Sequence, residues 1–217
     1  MITTDILIIG GGIMGISVAR ELNARFPDMH ITLIEKEPTV ACHASGRNSG
    51  VLHAGFYYTA DSLKARFTAE GNRLLTGYCL EHGLAIDRCG KIVVARDENE
   101  LKGLLELKQR GDRNGVKLDV IDEKDLAEME PNAKTFSKAL YSPATSVVKP
   151  KEVVALMAAD LQRKKVTIAC EEKFIKREGF STIGTNRQKI QYKHLVNAAG
   201  LYADKVAHQF GVGEKYT

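Results

Sequence analysis

Cysteine pairs and metal-ligand clusters are missing from this 217-residue sequence. Its four cysteines, Cys42, Cys79, Cys89 and Cys170, are widely separated, form no C-x-x-C pair and have no histidine at metal-ligand spacing. A disulfide framework and a metal centre are therefore not expected. The cysteines are expected to be free thiols in a reducing cytoplasm.

Long apolar runs and clustered charge of one sign are also lacking. No stretch approaches the ~20 apolar residues that cross a membrane, and the opening MITTDILIIGGG has no basic segment of a signal peptide. The net charge is only +4, and the densest basic cluster, residues 163–165, is typical of a solvated helix end. Neither a membrane span nor a nucleic-acid partner is expected. With 217 residues and 44% apolar content, the chain can form one good-sized soluble domain or two small ones.

A glycine-rich turn follows the first apolar run. Ile6–Ile9 are all apolar, as expected of a parallel strand buried on both faces. Gly10, Gly12 and Gly15 then satisfy G-x-G-x-x-G. The first glycine turns the chain, the second lets a pyrophosphate approach the backbone, and the third lets the next helix pack on the strand. The N-terminus of that helix offers unpaired N–H groups to the phosphates.

A carboxylate closes the second predicted strand. Glu35 lies near the end of HITLIEKE, twenty residues after Gly15, where it can accept hydrogen bonds from ribose hydroxyls and would repel a 2′-phosphate. This spacing predicts a dinucleotide site and disfavours NADP, but it does not separate NAD from FAD. Residues 42–58 (CHASGRNSGVLHAGFYY) make a poor helix and a poor strand, yet they are too apolar for a disordered linker. Such a loop suggests wrapping around a large polar ligand, which favours FAD.

The middle of the chain is predicted to be a strand–helix block. One helix runs from Ser62 to about Gly83, a second covers 97–115 with Asp97 as N-cap, and a short third begins at Asp122. The apolar face of the first helix carries Leu63, Phe67, Leu74, Leu75 and Tyr78. A block of this kind, inserted between pieces of a nucleotide domain, is a natural place for substrate contacts.

The last third of the chain leads to a second strand–glycine–helix junction. A helix after Pro150, a strand at 166–170 and an antiparallel meander precede LVNAAGLYADKVA. Its small residues, Ala198, Ala199 and Gly200, suit either close approach to a cofactor or tight strand–helix packing.

Five segments together resemble the D-amino-acid oxidase superfamily of FAD-dependent enzymes, and within it the L-2-hydroxyglutarate dehydrogenases and oxidases. They are DILIIGGGIMGISVAREL, Glu35–Lys36, CHASGRNSGVLHAGFYYTADSLKARF, CGKIVVA and LVNAAGLYADKVA. The resemblance implies an α/β fold: a Rossmann-like FAD-binding domain with an inserted α+β substrate domain, truncated at the C-terminus because the family continues beyond FGVGEKYT. The expected segments are 1–83 and 149–217 for FAD binding, the latter with the β-meander and the NAAG strand and helix, and 84–148 for part of the substrate domain.

The resemblance also implies which residues hold FAD. Gly10, Gly12 and Gly15 would bind the pyrophosphate, and Glu35 would bind the adenosine ribose with Lys36 beside it. The residues expected along the pyrophosphate, the ribityl chain and the isoalloxazine are Ser45, Asn48, Ser49, Gly50, Val51 and Leu52. The backbone of Lys173 would meet the adenine, and Ala199 and Gly200 would approach the flavin part.

The implied reaction oxidises a 2-hydroxy acid of the L-2-hydroxyglutarate type to the 2-oxo acid, by hydride transfer from the substrate Cα to flavin N5. His53 is the candidate base, because the hydroxyl proton must be removed and imidazole titrates near neutral pH; a structural histidine that holds the loop is the alternative. Arg47 and Tyr58 are candidates to bind substrate carboxylate or hydroxyl groups. Arg47 stands where the hydroxyglutarate enzymes carry His, and SVVKP (146–150) replaces a Gly-Ile-Val-type segment, so a related hydroxy acid or an amino acid stays open.

The sequence leaves three alternative interpretations open. They are an amino-acid or amine oxidase of the same superfamily, a truncated nucleotide-binding fragment without activity, and an NAD-linked dehydrogenase. The expected electron acceptor is a quinone or oxygen. The expected location is the cytoplasm, and peripheral association with the inner face of the membrane would suit quinone reduction.

Overall fold

The computed structural model describes residues 1–215, which fall into two compact units. Unit 1 comprises Met1–Asn48 and Pro150–Thr217, and unit 2 comprises Ser49–Lys149. The expected segments 1–83, 84–148 and 149–217 differ from this division mainly at the first boundary. The last two positions of the third segment lie outside the described residues.

Residues 1–215 form twelve strands and six α-helices. The strands are β1 (Ile2–Ile9), β2 (Ile31–Ile34), β3 (Val51–Leu52), β4 (Ile86–Asp87), β5 (Lys91–Val94), β6 (Asp119–Asp122), β7 (Lys138–Ser142), β8 (Ser146–Val148), β9 (Thr167–Ala169), β10 (Phe174–Arg177), β11 (Thr182–Thr185) and β12 (Lys189–Asn197). The α-helices are α1 (Ile13–Arg25), α2 (Leu63–Glu81), α3 (Glu98–Arg113), α4 (Glu123–Met129), α5 (Pro150–Arg163) and α6 (Ala203–His208). Within residues 1–215, no helix has both the length and the apolar character that crossing a membrane requires.

Unit 1 is built on a six-stranded sheet in the order β10-β11-β12-β1-β2-β9. β12, β1, β2 and β9 are parallel, while β10, β11 and β12 form the expected antiparallel meander. Ile6–Ile9 are all buried at the centre of the sheet, as a strand covered on both faces requires. This parallel sheet with helices confirms the Rossmann-like α/β prediction for the unit.

The register of three neighbouring strands brings the predicted motifs to one edge of that sheet. Ile9 at the end of β1 pairs with Ile34 of β2 and with Asn197 of β12. The residues that follow these three, Gly10, Glu35 and Ala198, therefore lie side by side at the carboxyl ends of parallel strands. In open α/β sheets, this edge is where ligands bind.

Unit 2 contains two three-stranded antiparallel sheets, ordered β3-β8-β4 and β5-β7-β6. Its larger core cluster consists of Ala54, Phe56, Ala95, Leu104, Val116, Leu118 and Leu140. The predicted N-caps are confirmed: the Asp97 side chain accepts from the Glu100 amide at 2.9 Å, and the Asp122 side chain accepts from the Asp125 amide at 2.9 Å.

The expected packing face of α2 is wrong for three of its residues. Leu63, Phe67 and Leu74 are exposed by 65%, 61% and 55%. The helix is buried at Ala65, Tyr78 and Cys79, and a Cβ added at Gly55 would lie only 3.2 Å from the Ala65 carbonyl oxygen. Close backbone contact at Gly55 therefore determines which face of the first turns of α2 is buried.

Glycines in the helices of unit 2 provide a stability prediction. A Cβ added at Gly71 in α2 or Gly103 in α3 would meet no described atom within 4 Å, so alanine at either position should stabilise the chain by about 0.5–1 kcal/mol through helix propensity. Gly90 is the matched opposite case, because its φ is +74° and its added Cβ would lie 2.4 Å from the Tyr141 ring. Urea unfolding should rank Gly71→Ala above wild type and Gly90→Ala below it. The reverse order would contradict the described packing.

Candidate functional site

The glycine turn after β1 leaves no room for side chains at two positions. Gly10 has a φ of +116°, and a Cβ there would lie 2.3 Å from the Ala198 carbonyl oxygen. A Cβ at Gly15 would lie 2.0 Å from the Gly10 carbonyl oxygen. At Gly12, by contrast, the only described atom within 4 Å would be Ser45 Oγ at 3.1 Å. Gly10 and Gly15 therefore shape the turn, whereas Gly12 leaves space through which a ligand can reach the backbone.

Glu35 ties this turn to the end of β2. Its side chain is nearly buried, with Oε2 accepting from the Gly11 amide at 2.7 Å and Oε1 accepting from the Glu37 amide at 2.9 Å. A carboxylate has about four lone-pair sites, so two remain to accept hydrogen bonds from ribose hydroxyls. The predicted ribose acceptor is thus also a clamp on the turn.

The first turn of α1 has backbone donors to offer. The Ile13 amide donates to Ser45 Oγ at 2.9 Å, while the Gly12 and Met14 amides donate to no acceptor among residues 1–215. Asn48 holds the Ser45 segment by donating to the Ala44 and Ser45 carbonyls at 3.0 and 3.1 Å. Free amides at a helix N-terminus form a site suited to a phosphate group.

A cleft of about 790 Å³ opens beside this turn within unit 1. Its volume lies in the range of roughly 300–1,000 Å³ that is typical of cofactor pockets. The predicted cofactor residues that line it are Gly10, Gly12, Glu35, Lys36, Ser45, Asn48, Lys173, Ala199 and Gly200. Gly15 lies behind the turn, and Arg47 is exposed and outside the lining.

An aromatic ring on the cleft wall is surrounded by basic groups. Lys36 Nζ lies 3.8 Å and Lys205 Nζ 5.6 Å from the centroid of the Tyr202 ring, and the His43 ring meets its edge at 6.4 Å. His43 Nε2 donates to Glu37 Oε1 at 2.8 Å, and this bond lowers the pKa of the Glu37 carboxyl. The positive groups suit an anionic ligand. Sequence reasoning missed Tyr202 and Lys205, since neither belongs to a spacing motif.

Lys173 and Glu172 come directly before β10, and only Lys173 was predicted to contact the cofactor. The Lys173 amide already donates to Asn186 Oδ1 at 2.7 Å, and its carbonyl accepts from the Asn186 amide at 3.1 Å; only a second carbonyl lone pair remains for an adenine. Glu172, which was not predicted, is buried and lines the cleft. Its Oε1 accepts from Thr185 Oγ1 at 2.9 Å and from Gln188 Nε2 at 3.1 Å.

The other predicted site residues, Ser49, Gly50, Val51, Leu52, His53 and Tyr58, belong to unit 2. Val51 and Leu52 form β3, which pairs with β8. His53 follows it and is exposed, yet partial desolvation and the Lys91 ammonium lower the pKa of its imidazole. The Tyr58 ring lies 4.5 Å from Lys64 Nζ.

The residues of unit 1 fit a dinucleotide cofactor. The space at Gly12 and the free amides of α1 suit a pyrophosphate. The Glu35 carboxylate suits a ribose. In the part of the chain that the structure describes, no group of three or more His, Cys, Asp or Glu side chains is placed to hold a metal ion.

Sequence relatives share most of this chain. It is 36% identical over 212 residues to L-2-hydroxyglutarate dehydrogenase of Escherichia coli K12, covering 96% of this chain and 50% of the relative. It is 34% identical over 223 residues to the mitochondrial L-2-hydroxyglutarate dehydrogenase of Homo sapiens, covering 95% of this chain and 48% of the relative. The chain thus spans about half the length of the curated relatives it matches.

Solved structures and a family model agree with the geometry. FAD-bound L-alpha-glycerophosphate oxidase of Mycoplasma pneumoniae matches with a TM-score of 0.86 and 28% identity, over 96% of this chain and 57% of that one. Glycine oxidase of Geobacillus kaustophilus matches with a TM-score of 0.85 over 97% of this chain and 59% of that one. At 21% identity, this match supports a shared fold alone. The family model described as FAD-dependent oxidoreductase (DAO) matches residues 5–216. The chain therefore belongs to the DAO family of FAD-dependent oxidoreductases.

Proposed function

We propose that this chain carries the FAD site and the base of an oxidoreductase that converts a 2-hydroxy acid of the L-2-hydroxyglutarate type to the 2-oxo acid. The observation that carries the proposal is the cleft at the carboxyl ends of β1, β2 and β12, where the glycine turn is tied to Glu35. The substrate class is supported by relatives at 34–36% identity that are named L-2-hydroxyglutarate dehydrogenase.

FAD, when bound, supplies a two-electron acceptor. The chain's own residues bind and orient it. The Gly12 and Met14 amides at the start of α1 would donate to its pyrophosphate, and Glu35 would accept from its adenosine ribose. Ala199 and Gly200 would approach its flavin part. Ser49, Gly50, Val51 and Leu52 are proposed as further cofactor-binding residues.

His53 is proposed as the base that takes the hydroxyl proton of the substrate. Its lowered pKa keeps the imidazole neutral, and hence able to accept a proton, to lower pH than an ordinary histidine. Its exposure leaves it accessible to a ligand. Tyr58 and Arg47 are proposed to contact the polar groups of the substrate.

Anaerobic reduction of the bound flavin tests the reaction. L-2-Hydroxyglutarate should bleach the flavin absorbance of the purified protein, while an amine or a neutral amino acid should not. Bleaching by the amine or amino acid alone would favour the amine- or amino-acid-oxidase alternative. A flavin that none of these compounds reduces would refute the proposed reaction and leave the cofactor site unaffected.

Replacing the clamp carboxylate should weaken both the apo fold and FAD binding. In Glu35→Gln, one of the two backbone N–H groups faces an amide NH₂ instead of an oxygen, so a charge-assisted bond worth about 1.5–3 kcal/mol is lost. FAD affinity should fall roughly 10- to 100-fold in a fluorescence titration. Glu171→Gln is the control, because among residues 1–215 that carboxylate contacts only Arg187 in an exposed ion pair, and the loss of this pair should be nearly neutral. Equal behaviour of the two variants would contradict the clamp role.

The electron acceptor and the location complete the proposal. We propose a quinone or oxygen as acceptor, and a cytoplasmic location or peripheral association with the inner face of the membrane. Reoxidation of the reduced flavin by air and by a soluble quinone analogue, measured separately, distinguishes the two acceptors.

A further inference from the structure

The ammonium group of Lys91 lies near His53 in unit 2. Leu52, just before His53, pairs with Ser146 of β8, and Gly90, just before Lys91 of β5, donates to the carbonyl of the neighbouring Thr145 at 3.0 Å. His53 and Lys91 therefore start from adjacent positions, and the Lys91 charge adds to the desolvation that lowers the pKa of the imidazole. Its Nζ also lies 4.7 Å from the centroid of the Tyr57 ring. No carboxylate among residues 1–215 comes within the 4.0 Å of an ion pair with Lys91. This half-buried cation thus has an aromatic neighbour but no counter-ion.

The backbone of Lys91 is firmly placed. Lys91 pairs with Ser142 of β7, and the preceding Gly90 donates to the Thr145 carbonyl at 3.0 Å. Tyr57 is held in turn, because its carbonyl accepts from Arg110 at 2.9 Å and its ring packs 4.2 Å from that of Phe56, which is buried. The ring and the strand therefore restrict where the ammonium can lie.

The residues on both sides of His53 are fixed as well. Asn72 Nδ2 donates to the Leu52 carbonyl at 2.8 Å and to the Ala144 carbonyl at 3.0 Å. Ala54, on the other side, is buried in the core of unit 2. A base and a cation are thus presented together by a pre-organised backbone, as a binding site requires.

The chemistry of a 2-hydroxy acid matches this pair. Its hydroxyl and its C1 carboxylate are on adjacent carbon atoms, so a base that meets the hydroxyl needs a cation close by for the carboxylate. A partly desolvated ammonium without a counter-ion gains most from an anionic ligand. We propose that Lys91 pairs with the C1 carboxylate of the substrate and so directs the 2-hydroxyl to His53.

This inference rests on the proposed function and narrows its substrate class. Lys91 is a specificity-determining residue that favours substrates with a carboxylate next to the reacting carbon over plain alcohols and plain amines. It makes and breaks no covalent bond. Its loss should raise KM much more than it lowers kcat, because the carboxylate is bound in the ground state as well as in the transition state.

Glutarate is the probe for a test that does not depend on turnover, because it has the two carboxylates but no 2-hydroxyl. The His53 ring resonances of the FAD-loaded protein are followed by NMR as a function of pH, with and without glutarate. In wild type, glutarate should raise the pKa of His53 by offsetting the Lys91 charge. In Lys91→Gln the pKa should already be higher, and glutarate affinity should fall roughly 10- to 100-fold, the range for a lost charge-assisted bond.

Two further variants keep this test specific. Lys91→Arg should retain glutarate binding, since the positive charge remains. Lys102→Gln removes an exposed cation of α3 whose Nζ lies 3.5 Å from Glu98 Oε1, and it should leave both the His53 titration and glutarate affinity as in wild type. Equal glutarate affinity in wild type and Lys91→Gln would overturn the proposal. Lys91-dependent glutarate binding without flavin reduction by any 2-hydroxy acid would instead refute the proposed function and uphold the carboxylate site.

Discussion

Gly15→Ala is expected to abolish FAD binding and to lower the free energy of unfolding by about 3 kcal/mol. The new Cβ would lie 2.0 Å from the Gly10 carbonyl oxygen, which is backbone and cannot rotate away. Alanine gains at most about 1 kcal/mol in helix propensity, so the steric overlap decides the sign. Urea unfolding and flavin content after purification measure the two effects.

Gly12→Ala distinguishes an effect on FAD binding from an effect on the stability of the fold. Gly12 has ordinary extended backbone angles, and a Cβ there would meet only Ser45 Oγ at 3.1 Å among the described atoms. Its stability should stay within about 1 kcal/mol of wild type, while its FAD affinity should fall at least tenfold because the methyl group fills the approach of the pyrophosphate. If Gly15→Ala proved as stable as Gly12→Ala, the turn could not be packed as described.

His53→Asn is expected to slow flavin reduction by L-2-hydroxyglutarate roughly 10²- to 10⁴-fold, the usual contribution of a general base. The side-chain amide is not basic enough to accept the hydroxyl proton. Flavin content should not change, because His53 belongs to unit 2 and does not line the cleft of unit 1. Anaerobic stopped-flow measurement of flavin bleaching gives the rate.

The pH dependence of flavin reduction should also have a defined direction. The pKa of His53 is lowered, so the neutral base persists as pH falls below the ordinary value for imidazole, and the rate declines only as pH passes through the lowered pKa. His30→Asn is the control, since that imidazole is exposed by 87% and should affect neither rate nor pH profile. A His53→Asn variant that reduces its flavin at the wild-type rate would exclude His53 as the base.

Local signals in the sequence were sufficient to predict the glycine turn and the helix caps. The glycine spacing, the position of Glu35 and the caps at Asp97 and Asp122 each depend on residues close together in the chain, and the structure shows the turn and both capping bonds. The role of the NAAG segment was expected only from the family resemblance, because its place beside Gly10 depends on the long-range parallel pairing of β12 with β1.

Long-range contacts account for what the sequence did not reveal. The face that α2 packs on depends on its approach to Gly55, so the apolar pattern of Leu63, Phe67 and Leu74 was misleading. Tyr202 and Lys36 meet only because β2 and β12 end at the same edge of the sheet. Lys91 lies in the CGKIVVA segment, to which the resemblance assigns no role, and its position near His53 depends on the folding of unit 2.

The most direct test of the central claim is a calorimetric titration of the flavin-free chain with FAD, comparing wild type with Gly12→Ala. The cleft beside the glycine turn predicts one-to-one binding by wild type and binding at least tenfold weaker by Gly12→Ala, with NAD giving no comparable signal. Absence of FAD binding by the folded wild-type chain, or equal FAD affinity in the two proteins, would contradict the account.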